Sequence, residues 1–531
     1  MNTRFRVLAV LCAGVTIAAA ACFVQARMGA RRSLPTVLLK SEPVGSGERR
    51  FVQLAWTTHN VSRCQAMGAW TGARAASGSE RLQVQTSGSH YELRCSGKQG
   101  NAYARVGMPT TASPLQLFPL RPSENKRYLV DARGRPFFIH GDTAWSLIAE
   151  LNADEVTQYL DDRRKRGFNT VLVNLIEHKF ASSAPRNASG RAPFARSNLI
   201  ESPNDDYYDY AEWVVRQAEE RGFLVLLVPA YLGYAGQDEG WYRALTSSSR
   251  TALVEYGRYL GRRFQKYDNV IWTYGGDYNP PDRSVVQSIA AGIREFDHNI
   301  STAHTASETS AREIWGSELW LQLNNIYTYE HVVAKATAEY VREPAMPFFL
   351  IESSYENEQT SDVQLVRAHA YQALLSGAAG HIFGNNPIWH FSGPGIDSRV
   401  QSWQAALDSE GARNMMQLRA LFDAYAWWTL TPDVTKTLLR IDHADDDHAV
   451  VASVSGDRQL AFIYFPTAAT AQINMAKLAC EHSCTATWFD PTAGSYGPTI
   501  SLNPDGVVSL APPARNSSGD QDWLLIINAT D

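Results

Sequence analysis

The chain has 531 residues, 44% of them apolar and 11% aromatic. At about 150 residues per domain, that length asks for two to four domains and excludes a single small one. Its net charge of −5 excludes a general nucleic-acid binder, which needs a basic face.

Arg4 and Arg6 precede an apolar run from Val7 to Ala21, the form of a secretory signal peptide. Residues 1–26 therefore read as a signal peptide or an N-terminal anchor. Val24-Gln25-Ala26 is a small-x-small cleavage site, and Ala19-Ala20-Ala21-Cys22 is a weak lipobox that would put a lipid on Cys22. Every one of these readings exports the remaining chain, to the periplasm, the cell surface or the outside. A membrane enters only through this segment.

The other cysteines agree with export. Cys64 and Cys95 share one β-rich stretch, and Cys480 and Cys484 share another. Two local pairs read as two disulfides in an oxidising compartment. A structural metal would need four converging ligands, so no metal is expected.

Residues 35–108 alternate apolar and polar positions in Phe51–Trp56, Arg81–Gln85 and His90–Cys95, between turns of Gly, Ser and Thr. Short strands with a Cys pair and a Trp suggest an immunoglobulin-like β-module. Residues 109–116, PTTASPLQ, read as a linker.

From 118 to 430, short apolar strands alternate with helical stretches, the mark of βα units on a parallel sheet. The strand candidates begin with Pro136–His140, which ends in Gly141-Asp142, and Thr170–Asn174. Leu224–Val228 follows, ending near Tyr231, then Asn269–Asp277 and Asn299–Thr305, which carries His304. The last three are Leu319–Tyr327, Phe348–Glu352 and His381–Phe383, which leads to Trp389. Asn152 with Glu155 forms a capping box for the first helix. Eight such units fit an α/β fold of the (β/α)8 TIM-barrel type. The alternative, a doubly wound open sheet, lacks a Gly-rich phosphate turn after its first strand.

The stretch from His178 to Asn204 is a long loop carrying Arg186, Arg191 and Arg196. Its arginines read first as solvated charge and, more sharply, as a grip on acidic sugars such as uronates. From 435 to 531 strands return, at Ala449–Val454, Leu460–Tyr464, Thr485–Phe489 and Trp523–Ile527, and predict a C-terminal β-sandwich.

Side chains alternate along a strand. If Asp277 points into the barrel, Gly275, Thr273 and Ile271 share its face. By the same rule Glu352 goes with Leu350 and Phe348, and Asp142 with His140 and Phe138. Each strand would then send one carboxylate to the mouth, where barrels carry their chemistry. Asp142 is the acid most open to a structural explanation, because a helix follows it. Two carboxylates across an aromatic cleft point to glycoside hydrolysis: one protonates the leaving oxygen, and the other attacks the anomeric carbon or activates water. Asp277 and Glu352 are the catalytic candidates. Asp142, Trp145, Asn174, Tyr231, His304, Tyr327, Tyr355 and Trp389 are the substrate-binding candidates, for a polysaccharide or oligosaccharide. The chain has no G-x-S-x-G elbow and no H-E-x-x-H pair, which argues against a serine hydrolase and a zinc hydrolase. No cofactor is called for.

Several ordered motifs carry a resemblance. They are RYLVDARGRPFFIHGDTAW (Arg127–Trp145), GWYRAL (Gly240–Leu245), YGRYLGRRFQKYDNVIWTYGGD (Tyr256–Asp277), FFLIESSYENE (Phe348–Glu358) and GAAGHIFGNNPIWHF (Gly377–Phe391). Together they resemble the apiosidase-like barrel of glycoside hydrolase family 140. WFDPTAGSYGP (Trp488–Pro498) and DWLLII (Asp522–Ile527) resemble the small β-domain that follows that barrel. The resemblance implies Asp277 as acid/base, Glu352 as nucleophile, a retaining mechanism and cleavage of bonds to apiose in pectic side chains. Two stretches depart from the family's pattern: Tyr278-Asn279-Pro280 after the GGD, and Ser353-Ser354 where a proline is common. The competing reading is a non-catalytic carbohydrate-binding or surface-adhesion protein. Two opposed acids favour the enzyme.

Overall fold

The computed structural model describes residues 34–44, 51–83, 90–107, 117–196, 200–358, 361–391, 393, 401–441 and 448–529. The expected signal or anchor and the linker at 109–116 lie outside the described residues.

The N-terminal region is all strand. Three of its strands are β1 (Arg63–Gly68), β2 (His90–Gly97) and β3 (Gly100–Gly107). They pair antiparallel, β1 with β2 and β2 with β3. The disulfide Cys64–Cys95 joins residues directly opposite each other in β1 and β2. It thus staples neighbours within one sheet, whereas the immunoglobulin bridge crosses between two.

The middle of the chain holds eight parallel strands. They are β4 (Ile139–Thr143), β5 (Thr170–Asn174), β6 (Leu224–Val228), β7 (Val270–Gly275), β8 (Ser301–His304), β9 (Asn324–Tyr327), β10 (Phe348–Glu352) and β11 (Gly380–Asn385). Their order in the sheet is β8-β7-β6-β5-β4-β11-β10-β9. The two ends meet. Ser301 bridges Leu321 in parallel, and its carbonyl accepts from the Gln322 and Leu323 N–H groups at 3.1 and 3.2 Å. The expected strand Leu319–Tyr327 is shorter than its apolar pattern: Leu319 is 93% exposed and regular pairing starts at Asn324.

Burial on both faces explains the Val/Ile/Leu-rich strands. Ile139, Leu172, Leu224, Leu226, Val228, Ile271, Phe349, Ile351 and Ile382 fill the interior. Leu129 and Phe137, from the short antiparallel pieces at 129–130 and 136–137, and Phe118 and Leu120, just before the piece at 121–122, close its lower end. Alternate residues such as Val171, Val173, Val225 and Leu227 pack outward under the helices. The first of these helices, Ala153–Lys165, has the expected capping box of Asn152 with Glu155.

The C-terminal region pairs β12 (Cys484–Asp490), β13 (Ser495–Leu502) and β14 (Trp523–Asn528) with two further strands, over a core shared with a smaller three-stranded sheet. Cys480 and Cys484 form the second disulfide. Strand β13 also pairs with β3, setting Asn101 opposite Thr499 and Ala102 opposite Pro498. The strands expected as two separate modules therefore run on as one sheet. The barrel is tied to it by Arg367, fully buried, whose guanidinium donates to Asp522 at 2.6 and 2.7 Å.

Candidate active site

The carboxyl ends of the barrel strands converge on a polar mouth above the apolar interior. Asp277 follows β7 after Gly275 and Gly276. These three residues have φ of +95°, +134° and +50°, a left-handed run that glycine adopts freely and Asp tolerates. The glycines also permit close approach. A Cβ on Gly275 would lie 2.4 Å from the His304 carbonyl oxygen, and one on Gly276 would lie 2.4 Å from the Tyr231 ring. The Gly-Gly-Asp motif is thus what lets the chain leave the strand and turn a carboxylate toward its neighbours.

Glu352 reaches the mouth by a different device. Phe349 and Ile351 face the interior, while Phe348 and Leu350 pack outward with Val332 and Ala336. The expectation that Glu352 shares an inward face with Leu350 and Phe348 is therefore overturned. A register shift explains it: Ile326 stands opposite Leu350, but Tyr327 stands opposite Glu352. The extra residue on β10 is a bulge, which re-aims the side chain after it.

His304 links the two acids. Its ring Nδ1 lies 2.9 Å from the Asp277 backbone N–H and accepts from it. That fixes the proton on Nε2, which lies 2.6 Å from Glu352 Oε2 and donates to it. His304 is fully buried, between the rings of Trp145 (5.2 Å) and Tyr327 (5.1 Å). Expected as a substrate contact, it has both ring nitrogens bonded within the protein.

The Asp277 carboxyl is pushed up to about 6, first by burial and then by the charge of Glu352; the Tyr231 hydroxyl pulls the other way. Tyr231 OH donates to Asp277 Oδ2 at 3.2 Å, and Asp277 Oδ1 is buried without a partner. Burial also raises the Tyr231, Tyr327 and Tyr355 hydroxyls well above the usual phenol value, so they remain donors. A carboxyl with a raised value beside another carboxylate is the environment that separates an acid from a base.

Trp145, Asn174, Tyr231, Tyr327, Tyr355 and Trp389 join these residues. Trp145 Nε1 donates to Tyr355 OH at 3.1 Å, and Trp389 Nε1 donates to Glu358 at 2.6 Å. Asn174 donates to Glu177 at 3.2 Å and keeps a buried Oδ1 without a partner. Two acids were not singled out in the sequence. Glu177 holds the start of the long loop through the N–H of His178 and the hydroxyl of Ser146; its place three residues past Asn174 is the only signal. Glu358 orients Trp389. Tyr329, 40% exposed and bonded to Tyr327 OH at 2.9 Å, extends the aromatic rim.

Asp142 does not belong to the mouth. Ile139 faces the interior, so Phe138, His140 and Asp142 face outward. Asp142 is fully buried, accepting from Tyr159 OH at 2.9 Å and lying 3.4 Å from Arg163 Nη1. Burial pushes it up to about 6 against the pull of Arg163 and Tyr159. An isolated charge there would be costly, and the ion pair answers it. Two of the three loop arginines are likewise used locally: Arg186 donates to the Gly190 carbonyl at 2.8 Å and Arg191 pairs with Asp206 at 3.0 Å.

The model of the apiosidase-like catalytic domain matches residues 123–429. The family described as "Putative collagen-binding domain of a collagenase" matches 434–528. A solved glycoside hydrolase family 5 protein from Bacteroides vulgatus ATCC 8482 superposes with a TM-score of 0.68 at 23% identity, over 78% of this chain and 96% of that one. Another solved structure, described as a glycoside hydrolase, superposes with a TM-score of 0.68 at 22% identity, over 80% of this chain and all of the other. At such identities the likeness is one of fold. No curated protein matches the chain.

Proposed function

The chain belongs to the apiosidase-like family and is a glycoside hydrolase, and from that premise we propose a retaining enzyme in which Asp277 is the acid/base and Glu352 the nucleophile. The observation that carries the assignment is the link through His304. One imidazole binds the Asp277 backbone and the Glu352 side chain, so both acids are held at one mouth. Nε2–H stabilises Glu352 as a carboxylate, the form a nucleophile needs. Asp277, raised to about 6, holds the proton that the leaving oxygen requires and can later activate water as a base.

The reaction balances on these two groups. Glu352 attacks the anomeric carbon as Asp277 protonates the departing oxygen, giving a glycosyl ester. Water, deprotonated by Asp277, then cleaves that ester and restores the first configuration. Trp145, Tyr231, Tyr327, Tyr355 and Trp389 line the sugar's approach, apolar faces toward the ring and hydroxyls toward its edges. Retention, and cleavage at apiose in pectic side chains, follow from the family's pattern. The barrel is of the (β/α)8 type, with the N-terminal strands as an accessory β-region. The two disulfides support an exported protein. The test is incubation with a glycan panel including pectic and arabinogalactan oligosaccharides, with released products identified by mass. Release of a defined sugar is expected; none from any member would sink the proposal.

A further inference from the structure

The sheet shared by the N- and C-terminal regions carries a cleft of about 350 Å³, within the ~300–1,000 Å³ of ordinary ligand sites. Register places its walls on one face. Gln65 stands opposite Arg94, Arg94 opposite Tyr103, and Ser96 opposite Asn101. Across the junction, Asn101 stands opposite Thr499, and Thr499 opposite Thr487. Thr485 stands opposite Asn528 at the far side. The alternate positions, among them Cys64, Leu93, Cys95 and Ala104, are core. This face therefore spans six strands, β1-β2-β3-β13-β12-β14, and exists only because two regions pair edge to edge.

Its chemistry is cationic and polar. Arg63, Arg94 and Arg105 line it together with a single carboxylate, Glu92. Glu92 lies 3.5 Å from Arg94 and 3.7 Å from Arg105, distances at which one charge is shared loosely between two. Three guanidiniums against one carboxylate leave two positive charges uncompensated, on a chain whose net charge is −5. Arg63 has no ion-pair partner among the described residues, and Arg105 Nε is buried without a hydrogen bond. The side-chain amides of Gln65, Asn101 and Asn528 likewise have no internal partner there.

An occupant that suits this face carries repeated carboxylates and hydroxyls. Guanidinium forks fit carboxylates, and amides and threonines fit sugar hydroxyls. A neutral glycan would want an open aromatic platform, but Tyr103, the one aromatic in the lining, is 9% exposed. We propose that this face binds an acidic, uronate-containing glycan chain, holding the enzyme on its polymer while the barrel works elsewhere on it. The proposal does not rest on the roles given to Asp277 and Glu352.

The test uses the full chain carrying Glu352→Gln, so that no probe is consumed. Binding is measured by calorimetry to a polyuronate oligomer, its methyl ester, a neutral glucan oligomer and a triple-helical collagen peptide. The polyuronate alone should bind, more weakly as salt rises. Arg63→Glu with Arg94→Glu should weaken it by about tenfold at an unchanged melting temperature, since two exposed charge contacts are each worth up to about 1 kcal/mol. If that pair fails to fold, Arg63→Gln with Arg94→Gln should show the same direction. Absence of polyuronate binding, equal binding of the ester, or binding indifferent to the arginine changes would overturn the proposal. So would collagen-peptide binding that the arginine changes abolish. Neither result alters turnover of the glycan panel by the wild-type enzyme.

Discussion

Replacing Asp277 by Asn should stabilise the fold in a pH-dependent way. The carboxyl rises from the usual aspartate value near 3.8 to about 6. Between those values the folded protein holds a proton that the unfolded chain has lost, so stability falls as pH rises through the window. The rise is about two pH units at 1.36 kcal/mol each, so ionising Asp277 in the fold costs on the order of 3 kcal/mol above pH ~6. Asn removes that charge and still accepts from Tyr231. Urea unfolding of both proteins at pH 4 and pH 7.5 measures the difference. Asp277→Asn should gain little at pH 4 and up to about 3 kcal/mol at pH 7.5, while losing turnover. An equal stability difference at both pH values would refute the claim that burial and Glu352 raise this carboxyl.

The remaining predictions concern the site's supports. In the wild type, kcat/KM should fall as pH rises through about 6, as Asp277 loses its proton, and a pH–rate profile reads this directly. His304→Ala leaves the buried Asp277 N–H unpaired and Glu352 without its donor, which costs about 1–3 kcal/mol; kcat should drop far more than KM changes. Gly276→Ala sets a methyl 2.4 Å from the Tyr231 ring at φ +134°, so activity and melting temperature should fall together. Arg163→Met strands Asp142 as an uncompensated buried acid, destabilising by about 3–5 kcal/mol. The folded fraction should keep its kcat, because that pair lies outside the mouth.

Alternating apolar strands and the two Cys pairs made most of the architecture legible in the sequence. The Gly-Gly-Asp exit was legible because its physical need, three positive φ values in a row, can be met by few residue types. Period-two reasoning held along β7 as far as Ile271, which does face inward, but Asp277 is aimed by the left-handed turn after the strand and not by alternation. It failed at Glu352, because a bulge adds a residue that alternation cannot anticipate. It failed at Asp142, because nothing local tells which face of β4 is interior; Arg163, in the last turn of the helix Ala153–Lys165, pairs with it there. His304 was noticed as a polar residue at a strand end, but its role depends on two partners 27 and 48 residues away. The pairing of β3 with β13 joins residues nearly 400 positions apart, and no sequence pattern encodes that contact.

The most direct test of the catalytic account is the turnover of Glu352→Gln on a substrate the wild type cleaves. The account predicts a loss in kcat on the order of 10⁴ or more, with substrate still bound. A variant retaining turnover within about tenfold of the wild type, roughly 1.4 kcal/mol in barrier, would contradict it.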